Sequence, residues 1–123
     1  MVSYRDEIKV NVEEALKLLQ AAKAQLEAGD HEAATSHASE SAFHTARALL
    51  LDEGIEPAKH GNVMTLIQEV FVKGRRLTKD QGADLHWLFA IGKTEDRVSS
   101  ADAHRAVGIA GSFIEAAKVI LEG

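Results

Sequence analysis

A chain of 123 residues, 46% hydrophobic and 27% charged, is the size of one globular domain and can bury roughly two thirds of the surface its unfolded form exposes. The absence of cysteine excludes disulfides, thiolate metal centres and a cysteine nucleophile. No apolar run approaches the roughly 20 residues that span a bilayer, and the net charge of -5 opposes avid nonspecific attraction to nucleic acid while leaving room for a local basic surface.

With one proline, few aromatics and abundant Ala, Leu, Glu and Lys, local propensity favours helix nearly throughout, so the expected class is all-α. Ile8, Val12, Ala15, Leu16, Leu19, Ala22 and Leu26 form one helical stripe that ends at Gly29. Asp30 can cap a second helix, in which Ala34, Ala38, Ser41, Ala42, Thr45 and Leu49 share a face of small residues before Gly54. Small side chains admit a close neighbour, which predicts that this helix occupies the centre of a bundle. Gly54 and Pro57 force a turn. Val63, Leu66, Ile67, Val70 and Phe71 mark a third helix stopping near Gly74, and Thr78 with Gln81 has capping-box spacing for a fourth that carries Leu85, Leu88, Phe89 and Ile91. Gly92 is expected to weaken its end. Thr94 to Ser100 is predicted as a loop, with Ser99 or Ser100 capping a last helix that buries Ala103, Ala106, Ala110, Phe113, Ala117 and Leu121. Gly108 and Gly111 each cost that helix about 1 kcal/mol relative to alanine, which predicts close packing there as compensation. The whole, residues 1–123, reads as a single up-and-down bundle of about five helices with short connections. The N-terminal MVSYRDEIKV has no apolar signal core, so the expected location is the cytoplasm.

The segment from Ala42 to Val63, AFHTARALLLDEGIEPAKHGNV, joins the second helix to the third through a D-x-GIEP turn and the single His60. This run resembles the core of the HEPN domain family, small helical proteins of prokaryotes often encoded beside minimal nucleotidyltransferases. The resemblance implies a helical bundle, a homodimer and a nucleotidyltransferase partner in a toxin-antitoxin-like system. It also implies, in active members, a ribonuclease site made of an arginine followed by a histidine after four to six residues. In the branch most similar to this chain, the arginine follows a Leu-Phe-x-x run and precedes an Ala-Asp-Tyr-like end. Here that region reads LFAIGKTEDR. Gly92 stands at the arginine position, Asp96 matches the aspartate and Arg97 replaces the tyrosine.

Metal-free cleavage of RNA through its own 2'-hydroxyl can use a histidine as general acid or base and an arginine to neutralise the phosphate. Arg97 and His104, separated by VSSADA, are therefore candidates for a shifted catalytic pair, against the plainer reading of a loop arginine and a solvated helix histidine. Lys93 brings charge near Gly92 but not the planar bidentate geometry of arginine. His37, Glu40 and His44 fall on one helix face at ligand spacing, yet without a fourth ligand the expectation is interhelical hydrogen bonding and no metal or other cofactor. His60, just before the third helix, is expected to cap it, or else to contact a phosphate. Lys73, Arg75, Arg76 and Lys79 make the clearest basic cluster, able to track RNA or a nucleotide or to be a solvated turn, and no interleaved aromatics offer stacking.

Three functions follow. The leading one is a noncatalytic or weakly active HEPN-like interaction protein that is a homodimer and partners a minimal nucleotidyltransferase. The second is a metal-independent toxin-type ribonuclease using Arg97 and His104. The third is a nucleotide-binding module using His60 and the basic turn, set back by the lack of a Gly-rich phosphate loop.

Overall fold

The computed structural model describes residues 4–94 and 97–123. Helix α1 (Arg5–Glu27) and helix α2 (His31–Asp52) form an antiparallel hairpin around Gly29. The Asp30 side chain accepts a hydrogen bond from the Ala33 amide at 3.2 Å and so caps α2. Helix α2 is the hub. It packs on α1 and on the last helix, and also touches two of the elements between, at residues 63–67 and 79–91. Its inward face holds Ala34, Ala38, Ala42 and Ala46, all fully buried, and these short side chains let neighbouring backbones close in, as the alanine pattern predicts.

Gly54 ends the hairpin with φ 78°, and Ile55 N–H reaches back to the Leu50 carbonyl at 2.9 Å. A short helix α3 (Pro57–His60) follows that the sequence pattern did not resolve. Helix α4 (Val63–Ile67) then passes into one turn of π-helix at Gln68–Val72. The cap of α4 is Asn62, whose side chain accepts from Thr65 N–H at 2.8 Å, so the expectation that His60 caps this helix is corrected. The π turn is held by the neighbouring helix α5 (Lys79–Ile91): Gln68 Nε2 donates to the Gly82 carbonyl at 2.8 Å, and a Cβ at Gly82 would stand 2.9 Å from both Gln68 Oε1 and Val72 Cγ2. Thr78 and Gln81 form the expected capping box. Helix α6 (Ser100–Glu122) starts at Ser99, whose hydroxyl accepts from Asp102 N–H at 3.0 Å.

The core lies where α2, α4, α5 and α6 converge, around Leu49, Leu50, Ile67, Phe71, Leu85 and Leu88. Two glycine expectations fail in opposite senses. A Cβ at Gly108 or Gly111 would meet nothing within 4 Å, so no close packing among the described residues compensates for them. Gly92, expected only to weaken the end of α5, is pressed against α2: a Cβ there would lie 2.2 Å from Ser39 Oγ and 2.4 Å from Ser39 Cβ. No helix among the described residues is long and apolar enough to cross a membrane.

Candidate functional site

Helix α5 delivers position 92 to the surface of α2. The Leu88, Phe89 and Ile91 run keeps the helix going, Gly92 N–H closes its last turn on the Leu88 carbonyl at 3.0 Å, and the glycine itself stays helical at φ -65°, ψ -17°. What makes glycine necessary there is therefore space, not backbone conformation. Any side chain would collide with Ser39, so a guanidinium at this position would require α5 and α2 to part. Glu95 and Asp96, the latter matched above to the family's aspartate, lie outside the described residues.

Arg97 is exposed just ahead of the Ser99 cap, and His104 is exposed one turn into α6. His104 Nδ1 lies 2.8 Å from the Ser100 carbonyl and 3.4 Å from Ser100 Oγ. A carbonyl can only accept, so Nδ1 carries the proton and Nε2 is the basic nitrogen of the neutral ring. Arg97 and His104 thus both face solvent at the junction that leads into α6.

His37 and His44 are turned toward α1. His37 Nδ1 is 2.7 Å from Gln25 Oε1 and His44 Nδ1 is 2.8 Å from Asn11 Oδ1, while between them Ser41 Oγ donates to the Ala15 carbonyl at 2.7 Å. Asn11 is fixed in turn by its Nδ2 donating to the Glu7 carbonyl at 2.8 Å. These contacts make a polar ladder that sets the register of the hairpin. Burial holds the His44 imidazole below its ordinary value, aided by the Arg47 charge and opposed by Glu14 and Glu40. Glu40 is exposed, and among the described residues no group of three or more His, Asp or Glu side chains is placed to hold a metal ion.

The basic turn divides by role. Arg76 is paired with Glu53 and its guanidinium sits 4.8 Å from the Phe71 ring centroid, so it clamps the turn onto α2 and the π segment. Lys73, Arg75 and Lys79 are exposed and, with Arg76, line a groove of about 440 Å³. Lys73 also lines an adjoining cleft of about 570 Å³ with Lys93, His86, Gln68, Glu69 and Phe89. Together the two clefts form a shallow path with cations along it. His60 lines neither. It sits beside Glu56, whose carboxyl is held below the usual range by side-chain hydrogen bonds from Lys59 and Tyr4.

One feature escaped sequence reasoning because its residues come from separate helices. Arg105 lies 4.0 Å over the Trp87 ring and 3.7 Å from Asp84, at the rim of a cleft of about 280 Å³ between α5 and α6 whose walls include Leu85, Ile109 and Phe113. No spacing rule links Trp87 to Arg105.

With this geometry in hand, two comparisons bear on the chain. The model of the HEPN domain family matches residues 8–120, nearly the full length. A protein of Methanocaldococcus jannaschii named "Putative toxin MJ0605" is 30% identical over 126 aligned residues, which span 96% of this chain and 91% of the relative.

Proposed function

Because this chain belongs to the HEPN domain family, we propose that it is the noncatalytic or weakly active helical component of a toxin-antitoxin-type pair, acting as a homodimer and engaging a minimal nucleotidyltransferase. The toxin name of its relative supports the setting. The observation that supports the noncatalytic reading is the contact of Gly92 with Ser39. Attack of a ribose 2'-hydroxyl on the neighbouring phosphorus builds charge on the phosphate oxygens, and a guanidinium held beside them supplies much of the stabilisation. At position 92 there is neither a guanidinium nor room for one. Lys93 is exposed nearby, but a mobile ammonium gives a point charge without the paired donors.

A second reading rests on His104. Its Nδ1–H is engaged by the Ser100 carbonyl, which presents Nε2 to solvent as a base able to take the 2'-hydroxyl proton, while exposed Arg97 would neutralise the phosphate. The experiment that separates the two is cleavage of a panel of structured and unstructured RNAs by metal-stripped protein beside folded Arg97→Ala and His104→Ala variants. The noncatalytic reading expects no cleavage by any of the three. Cleavage by the wild type that disappears in both variants overturns it and establishes the shifted pair. Co-expression with a minimal nucleotidyltransferase tests the partner, and a complex that fails to survive co-purification removes that part of the proposal.

A further inference from the structure

Helix α6 carries a face that its own chain leaves uncovered. Ala101, Arg105, Gly108, Ser112, Glu115 and Val119 recur at alternating steps of four and three, the spacing of a seam that faces another helix, and all six are exposed. Val119 is the most exposed large hydrophobic residue among the described residues, at 71%. Helix-interior Gly108 has open space around it, with no neighbour among the described residues to account for it. The cleft of about 280 Å³ beside Gly108 is lined by half-buried Ile109 over buried Leu85 and Phe113.

The charges on this face identify what covers it. We propose that α6 docks on α6 of a second copy, antiparallel about a two-fold axis at the level of Ala110. In that register Arg105 of each copy faces Glu115 of the other, Gly108 faces Ser112, and Ala101 faces Val119. Every position of the seam meets a complementary one: cation with anion, glycine with serine, apolar with apolar. A parallel, in-register pairing would set Arg105 against Arg105 and Glu115 against Glu115, so the charges also select the direction.

The side chains are poised for this. Arg105 is held over the Trp87 ring, which restricts its rotamers while 51% of its side chain stays accessible, and the Glu115 side chain is 76% accessible beside Lys118. Glycine and serine at the crossing permit helix axes to approach to about 8 Å. At that distance Ile109 of one copy comes against Ile109 of the other, next to the cleft over Leu85 and Phe113, where apolar area is withdrawn from water. The ion pairs then contribute register more than affinity.

This inference rests on the homodimer of the proposed function and assigns its surface. The test is sedimentation of the full chain across the micromolar range as wild type, Arg105→Glu, Glu115→Arg and an equimolar mixture of the two variants. Each single variant sets like charges against each other at both symmetric pairs, and is expected to dissociate at least about tenfold more readily than wild type. In the mixed dimer both pairs are again opposite, so the mixture is expected to recover association. Gly108→Leu, whose Cβ meets nothing within 4 Å, is expected to melt no earlier than wild type as a monomer yet to lose association, which separates docking from folding. A monomeric wild type overturns the dimer itself. A wild-type dimer that all three variants share, or single variants that stay apart on mixing, overturns the α6 surface while leaving the dimer standing. RNA cleavage, measured separately, bears on neither outcome.

Discussion

At the scale of single residues, the Gly92 contact decides more than any titrating group. Because a Cβ would fall 2.2 Å from Ser39 Oγ, Gly92→Ala is expected to lower stability by about 1–3 kcal/mol through overpacking, despite alanine's better helix propensity. Ser39→Gly in the same chain should relieve the collision, so a double-mutant cycle by urea unfolding should show coupling between the two sites. Strict additivity would mean that the helices do not meet there. Gly92→Arg would carry the same defect and is not expected to create ribonuclease activity. His44 offers a second test. Its folded value is lowered from 6.5, chiefly by burial, so between that lowered value and 6.5 the unfolded chain binds more protons than the folded one. The stability contribution of neutral His44 is therefore present above 6.5 and lost as pH falls through this window. The urea midpoint of wild type should drop across the window more steeply than that of His44→Gln, and parallel curves would show that burial of His44 does not carry the effect.

At the scale of elements, the same chemical change should have opposite signs on neighbouring helices. Gly108→Ala adds a methyl group in open space to an exposed helix interior and is expected to raise stability by about 0.5–1 kcal/mol. Gly82→Ala places a Cβ at 2.9 Å from Gln68 and Val72, so it must displace the π turn and is expected to be destabilising. Thermal unfolding of dilute protein reads both, and a stabilised Gly82→Ala would show that the π turn yields without cost. The π turn itself has a local cause. It widens the helix opposite the narrow glycine of α5 and lets Gln68 reach the Gly82 carbonyl, so the two segments that the basic turn joins are held to each other.

At the scale of the molecule, charge is unevenly spread. The α1–α2 hairpin through Glu56 holds most of the carboxylates, whereas Lys73, Arg75, Lys79 and Lys93 gather on the side where the two shallow clefts run. RNA contact on that side of a chain of net charge -5 is expected to be dominated by phosphate neutralisation. Retention on single-stranded RNA is expected to weaken by at least about tenfold between 50 mM and 200 mM salt, and Lys73→Ala with Lys79→Ala should flatten the dependence. Binding indifferent to salt, or unchanged in the double variant, would remove the basic turn from the contact. Arg76→Ala is not equivalent, because Arg76 is engaged with Glu53 and Phe71 and its loss acts on the fold.

The residue pattern by itself determined what local physics controls. Helix periodicity, the Asp30, Thr78 and Ser99 caps, the Gly54 turn and the alanine face of α2 are written in spacings of three and four residues, because backbone hydrogen bonding and burial of one stripe act over a turn or two of chain. The family resemblance of Ala42 to Val63 came through for the same reason, as a contiguous run. Tertiary structure decided everything that depends on residues meeting across helices. Gly92 was visible as a missing arginine but not as a contact with Ser39. The spacing of His37 and His44 suggested interhelical hydrogen bonds, but only the packing of α1 on α2 named Gln25 and Asn11 as the partners. Gly108 suggested packing inside the chain, and the open space around it turns that expectation outward. Arg76 and Lys73 look alike in sequence, yet only one has a carboxylate and an aromatic ring against it. Such distinctions depend on distances of a few ångströms between residues tens of positions apart, and a one-dimensional period carries no such information.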